Sequence, residues 1–193
     1  EVNIGVLALQ GDFREHIAAL AECGVDAKAV KTAEEITKIT GLVIPGGEST
    51  TLSKLAKAFD LFELIQKRIA DGLPTYGSCA GMIMVAKKIH DPASGQETFG
   101  GIDMEVERNA FGRQVDSFEA DLDFKGLTGP KFRAVFIRAP WVSKLGPGVE
   151  VLSEIDGHAV AVRQGKLLAT AFHPELTSDN RIHRYFIEEI CNK

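Results

Sequence analysis

Residues 73–88 read LPTYGSCAGMIMVAKK, and the fold turns on how this stretch is taken. Leu73 to Gly77 is short, apolar and β-compatible, Ala80 to Lys88 has a helical reading, and only Gly77-Ser78-Cys79-Ala80-Gly81 separates them. A turn that sharp forces its central residue into a strained backbone and requires small neighbours, which the flanking glycines supply. Outward from it the same alternation repeats. Residues 2–10 (VNIGVLALQ) predict a buried strand closed by Gly11-Asp12, with Asp12 able to cap a helix over Phe13 to Glu22 that Gly24 stops. Val25 to Lys31 predicts a second strand, Ile36 and Ile39 a short helix or turn, and Leu42 to Ile44 a third strand cut off by Pro45-Gly46-Gly47. Ser49 reads as the cap of a helix over Thr51 to Phe59, and Leu61 to Ala70 as another helix. This β-α-β-α order predicts an α/β fold with a mostly parallel sheet and helices on both faces.

The second half is richer in strands. MEVE, RAVFIRA, VEVLSEI, HAVAVRQ and KLLATAF are β-type runs, and Asp156-Gly157 and Gln164-Gly165 are hairpin signals, so antiparallel additions are expected there. Asp179 to Cys191 returns to a helical spacing. No internal repeat or Pro/Ser-rich linker interrupts the 193 residues, and residues 1–193 are expected to form a single domain.

Composition excludes several classes. The chain is 45% hydrophobic and 25% charged, within the range of globular proteins, and no apolar run reaches the roughly 20 residues of a membrane span. A net charge of −5 argues against a nucleic-acid binder. Three widely spaced cysteines (Cys23, Cys79 and Cys191) suit neither a disulfide framework nor a zinc site. The expectation is a cytoplasmic protein with no metal and no cofactor, and with neither membrane nor nucleic acid as partner.

Three segments carry chemistry. Cys79 occupies the nucleophile position of the elbow, exposed at the carboxyl edge of the sheet, with a helix N-terminus behind it that favours a thiolate. The small-x-Cys-x-small pattern also arises around inert buried cysteines. Phe172-His173-Pro174-Glu175 follows a strand, so His173 can move the thiol proton and Glu175 can turn back to fix the imidazole. Taken alone, His173 and Glu175 also read as a strand-end histidine and a surface acid. Pro45-Gly46-Gly47-Glu48-Ser49 is a turn whose backbone can approach a ligand closely. Its amides together with the Ala80 N–H can stabilise an oxyanion, each donor contributing roughly 3–4 kcal/mol.

Together, PGGEST (45–50), GSCAG (77–81) and HPE (173–175) resemble the class I, triad-type glutamine amidotransferases. LALQGDFREH (7–16), VERNAFGRQVDSFEADL (106–122), VFIRAP (135–140) and AFHPELTSD (171–179) narrow the resemblance to the glutaminase subunits of pyridoxal 5'-phosphate synthase, across essentially the whole chain. That resemblance implies a flavodoxin-like three-layer α/β/α sandwich. It implies hydrolysis of L-glutamine to glutamate and ammonia through a cysteine thioester, and ammonia delivery to a separate (β/α)8 synthase subunit in a hetero-oligomeric complex. It makes Cys79 the nucleophile, His173 the acid/base and Glu175 its orienting partner. Gly46, Gly47, Glu48, Ser49, Arg108, Ile137 and Arg138 become substrate contacts, Gly47 and Ala80 the oxyanion hole, and Gln10 a position linked to assembly on the synthase.

The residues themselves leave alternatives. Arg108 or Arg138 can pair the α-carboxylate of glutamine and Glu48 its ammonium. Equally, Arg108, Arg113 and Arg138 read as solvated loop charges neutralised by Asp116, Glu119 and Asp121. A related Cys-His-Glu hydrolase, such as a γ-glutamyl hydrolase or a peptidase, shares the elbow. So does the glutaminase of another amidotransferase. A non-catalytic module on the same fold is the rival of a different class. His16 reads as a surface residue of the first helix, or a partner contact. Cys23 and Cys191 read as packing thiols, and Trp141 as a cleft cover or a packing residue.

Overall fold

The computed structural model describes residues 2–112 and 116–192. Its elements, in chain order, are β1 (Ile4–Leu7), α1 (Phe13–Glu22), β2 (Lys28–Val30), α2 (Ala33–Lys38), β3 (Gly41–Ile44), α3 (Ser49–Ala58), α4 (Phe62–Ala70), β4 (Thr75–Ser78), α5 (Ala80–Val85), β5 (Ala86–His90) and β6 (Ile102–Glu107). There follow β7 (Ser117–Leu122), β8 (Phe132–Ile137), β9 (Trp141–Leu145), β10 (Glu150–Ile155), β11 (His158–Gln164), β12 (Leu167–Thr170), a 3-10 turn (Pro174–Leu176), α6 (Arg181–Tyr185) and a π turn (Phe186–Cys191).

The strands run in the order β2-β1-β3-β4-β12-β11-β9-β6-β5, with β10 added beside β11. Pairing is parallel from β2 to β12 and between β5 and β6. It is antiparallel from β12 through β11 and β9 to β6. Helices flank this sheet to give an α/β sandwich. Every residue of β1, β3, β4 and β12 is buried, as expected for parallel strands covered on both faces. In β6, buried residues alternate with half-buried ones, as an antiparallel extension requires. On the helical side, α1 packs with α6, while α3 packs with α4 and α5, and α4 with α2. A separate antiparallel hairpin, β7–β8, stands beside the main sheet.

The first helix begins and ends where its periodicity and Gly24 place it. The helix expected over residues 80–88 is shorter. All six residues of α5 are buried, so it has no polar face to extend into water. At Ala86 the backbone turns extended and pairs with β6 instead, which lets Lys87 and Lys88 reach solvent. The C-terminal helix likewise starts at Arg181 and widens into the π turn. Two cap expectations fail. Ser49 is the first helical residue of α3, and Glu48 is the cap, accepting the Thr51 N–H at 3.3 Å. Asp12 stands at the cap position of α1, but its carboxylate makes no capping bond.

Candidate active site

Three neighbouring parallel strands, β3, β4 and β12, end side by side. Their register sets Ile44 opposite Gly77 and Ser78 opposite Thr170. The segments beyond these ends are Pro45–Ser49, Cys79 and His173, which converge at the carboxyl edge of the sheet, where open α/β folds bind ligands. Cys79 has φ +54° and ψ −102°, a conformation that costs an L-residue about 1–3 kcal/mol. The surroundings impose it. The Cys79 N–H donates to the Thr170 carbonyl at 2.8 Å. A Cβ on Gly77 would lie 2.3 Å from the Gly81 carbonyl oxygen, and one on Gly81 would lie 2.1 Å from that of Ile44. Only glycines on both sides let the elbow sit this close to β3. The Cys79 sulfur lies 3.8 Å from the Ile137 carbonyl oxygen.

His173 is buried and is held by its backbone, whose N–H donates to the Val135 carbonyl of β8 at 2.9 Å. Its Nδ1–H is aimed at two carboxylates, Glu175 Oε2 at 2.7 Å and Asp12 Oδ2 at 3.2 Å. With Nδ1 so engaged, Nε2 is the nitrogen left for the sulfur. Glu175 is buried in the 3-10 turn, and its other oxygen accepts from Ser78 Oγ at 3.2 Å. Burial works against a charged imidazole. Hydrogen bonds that the protonated ring donates to Asp12, Cys79 and Glu175 outweigh it, and the His173 pKa is pushed up to about 12. Burial raises Glu175 against the opposing pull of His173, whereas the His173 hydrogen bond holds Asp12 below the usual carboxylate range.

A folded-state pKa above the unfolded one means that the protonated imidazole stabilises the fold. The contribution is complete below about pH 6.5 and fades as pH rises toward about 12. Replacing Asp12 by Asn removes one of the two carboxylates facing Nδ1. The His173 ring is then expected to titrate at lower pH, as followed by NMR of the imidazole protons. An unchanged midpoint would show that Asp12 contributes nothing and that Cys79 and Glu175 set it.

A cleft of about 340 Å³ opens over these groups. Gly47, Glu48, Ser49, Cys79, Ala80, Arg108, Ile137, Arg138 and His173 all line it, so most of the residues singled out in the sequence meet in one place. Gly47 and Ala80, the two expected oxyanion donors, both face this cleft. Gln10, Gly46 and Glu175 stand behind its wall. Gly46 backs directly on the imidazole, since a Cβ there would lie 2.4 Å from His173 Cε1. The Gln10 Oε1 accepts the Glu48 N–H at 2.9 Å, and its amide group presses on Gly47, which adopts φ +141°. Gln10 Nε2 is buried without a hydrogen-bond partner.

Sequence reasoning missed Asp12, Ile83, Asn109 and Leu176 as cleft residues. Asp12 carried a signal, being a polar residue directly after the first strand, but it was absorbed by the capping reading. Glu48 is committed to its own helix, accepting from Thr50 Oγ1 and from Thr51 Oγ1 at 3.0 Å. Burial opposes its charge, and these bonds outweigh burial to hold its pKa low. Arg108 donates to the Asp91 carbonyl at 3.1 Å, and its Nε is buried without a partner. Arg138 takes the left-handed φ of +46°, and its exposed guanidinium lies 3.9 Å from Asp116. Glu119 and Asp121 pair with Arg133, leaving Arg108 free of them. Arg113 lies outside the described residues.

Among the described residues, the one grouping with metal-ligand spacing is Asp12, His173 and Glu175, and there the shared Nδ1–H already satisfies both acids. Trp141 packs away from the cleft, stacked on His158 with ring centroids 3.6 Å apart and bonded through Nε1 to Glu107. The expectation for His16 was wrong. It is wholly buried.

Comparison with known proteins agrees with this geometry. The sequence profile of the SNO glutamine amidotransferase family matches residues 6–192. The pyridoxal 5'-phosphate synthase subunit PdxT of Acidothermus cellulolyticus is 60% identical over 194 residues, covering 98% of this chain and 94% of the relative. That of Streptomyces coelicolor is 60% identical over 187 residues, covering 97% and 93%. A crystal structure of a glutamine amidotransferase superposes with a TM-score of 0.91 at 50% identity, covering 98% of this chain and 99% of that one. A glutamine amidotransferase from Thermotoga maritima, at 15% identity and a TM-score of 0.62, covers 97% of this chain and 83% of its own and shares the fold. The chain therefore belongs to the SNO glutamine amidotransferase family.

Proposed function

We propose that this chain is the glutaminase subunit of a pyridoxal 5'-phosphate synthase, releasing ammonia from L-glutamine for a partner synthase. The observation that carries the reading is the clamp of Glu175 on His173 Nδ1 at 2.7 Å, behind the wall of the cleft that His173 lines together with Cys79 on its strained elbow. The relatives named as synthase subunits match nearly end to end, which supports the assignment of product and partner.

In this reading the Cys79 sulfur attacks the side-chain amide carbon of glutamine. The carbonyl oxygen becomes an oxyanion facing the Gly47 and Ala80 amides. His173, protonated at Nε2, delivers that proton to the amide nitrogen as the C–N bond breaks. Ammonia leaves and a γ-glutamyl thioester remains on Cys79. Water then attacks the thioester, His173 Nε2 takes its proton, and the C–S bond breaks to give glutamate and the sulfur nucleophile. Glu175 keeps the imidazole oriented and balances its charge throughout. Arg108, with its unpaired Nε, and the exposed Arg138 bind the substrate α-carboxylate, while Glu48, Ser49 and Ile137 shape the pocket. A cleft of about 340 Å³ suits a single amino acid. We take residues 1–193 as one glutaminase domain and its location as the cytoplasm. No helix of the described residues is long and apolar enough to cross a membrane. We take the partner as a (β/α)8 synthase in a hetero-oligomeric complex.

Gln10 joins the end of β1 to the oxyanion loop, so a partner docking near α1 would act on that loop directly. Glutamate release is therefore expected to be slow for the isolated chain and to rise on addition of the synthase subunit, with pyridoxal phosphate formed when its sugar phosphates are present. Full turnover without the partner would contradict the coupling. Preference for γ-glutamyl peptides over glutamine would contradict the substrate.

A further inference from the structure

Behind the triad lies a polar contact that the mechanism above does not use. His16 on α1 and His183 on α6 are both completely buried, 167 positions apart in the chain, and their rings meet with His16 Nδ1 2.9 Å from His183 Nε2. The other edge of His16 faces the site, with Nε2 3.5 Å from Glu175 Oε2, the same oxygen that accepts from His173. Tyr76 of β4 closes the compartment, its ring edge-on to both imidazoles. The charged and titratable groups around His16 and the carboxylate it faces are thus His183, Glu175, His173, Tyr76 and Asp12, whose carboxylate shares the His173 Nδ1–H with Glu175.

Burial favours neutral imidazoles here. It holds His16 well below the usual histidine range, with the nearby His183 and His173 adding to the effect, and lowers His183 to about 4. A neutral imidazole carries one N–H, so the 2.9 Å contact has a direction. Were Nδ1 of His16 the donor, its bare Nε2 lone pair would face an ionised carboxylate. Were His183 Nε2 the donor, His16 would present Nε2–H to Glu175. The second arrangement puts a dipole of the right sign against a buried anion whose donors are His173 Nδ1, Ser78 Oγ and its own backbone N–H.

We propose that His16 is a positioning residue for the site, its Nε2–H held toward Glu175 by a hydrogen bond donated from His183. This rests on the glutaminase reading for its consequence but not for its geometry. The pair keeps the carboxylate ionised and aimed at His173 in a compartment where burial favours the neutral acid. At present the 3.5 Å approach is longer than a good hydrogen bond.

Two measurements test it. Nitrogen-15 NMR of the wild-type imidazoles is expected to find His16 as the Nε2–H tautomer and His183 also protonated on Nε2. A His16 protonated on Nδ1 overturns the proposal whatever the enzyme does. In the complex with the synthase subunit, His16→Phe keeps a flat ring but removes the donor. It is expected to lower kcat roughly tenfold with little change in KM, and to move the acid limb of the kcat profile to higher pH, because Glu175 protonates more easily. His16→Gln, whose amide nitrogen reaches the Nε2 position, is expected to restore most of the rate and the limb. Wild-type kcat and pH limb in His16→Phe, or equal losses in both variants with no limb shift, would reduce the pair to packing. Absence of glutaminase activity even in the wild-type complex would instead sink the functional reading and leave the tautomer result standing.

Discussion

Cys79→Ala is expected to abolish glutamate release, by at least roughly 10⁴-fold, while leaving the fold in place. The chemistry is lost because no other thiol can substitute. Cys23 lies at the end of α1 and Cys191 at the C-terminal turn, and burial raises the pKa of both thiols. The fold survives because the elbow is held by its backbone, through the Cys79 N–H and Thr170 carbonyl and the two close glycine contacts, not by the sulfur. Alanine keeps the Cβ and therefore the strain of φ +54°. Cys79→Gly, which removes the Cβ, is expected to melt no lower than Cys79→Ala despite its more flexible unfolded chain. Circular dichroism and thermal melts check the fold, and a glutamate assay in the complex checks the rate. Retained turnover in Cys79→Ala would exclude this residue as nucleophile.

Gly81→Ala is expected to have the largest effect on stability. Its added Cβ would lie 2.1 Å from the Ile44 carbonyl oxygen and 3.0 Å from the carbonyl carbon. Both atoms are backbone of a fully buried central strand, so no side-chain rotation relieves the overlap, and α5 must separate from β3. A loss above about 4 kcal/mol is expected, against a total stability of roughly 5–15 kcal/mol for a domain. Gly24→Ala is the control. Gly24 has φ +81° but open space around its Cβ position, so it carries only the backbone penalty of about 1–2 kcal/mol. Urea midpoints for the two variants separate collision from strain. Similar values would mean that the approach of α5 to β3 is looser than described.

The parallel half of the fold was legible because buried strands and amphipathic helices differ in period, and because Gly24, Gly41 and Gly46-Gly47 punctuate them. The elbow was legible for a related reason. Its glycines answer a backbone demand that few other sequences would meet. The residues that were misread have a different character. Lys87 and Lys88 follow an apolar helix and read as its continuation, and only pairing with β6 across the sheet edge makes that segment a strand. Asp12 and Ser49 both suit helix caps by type. Asp12 is drawn away by His173, whose place in the chain is far off, while Glu48, one residue earlier, takes the capping position from Ser49. His16 lies on a helix whose other polar residues face water. Its burial depends on His183, 167 positions away, and local periodicity contains no trace of that contact. Segments with a local signal of their own, such as the elbow glycines, could be read from sequence, whereas the cross-fold contacts of Asp12 and His16, which carry no such signal, could not.

Turnover by this route requires a covalent bond between the sulfur of Cys79 and the carbon of the glutamine amide. Acid-quenching the working complex in the presence of glutamine, followed by peptide mass spectrometry, would trap that bond. A γ-glutamyl adduct is expected on the peptide that contains Cys79, and none on those containing Cys23 or Cys191. Steady turnover with an unmodified Cys79 peptide, or an adduct on another residue, would contradict it.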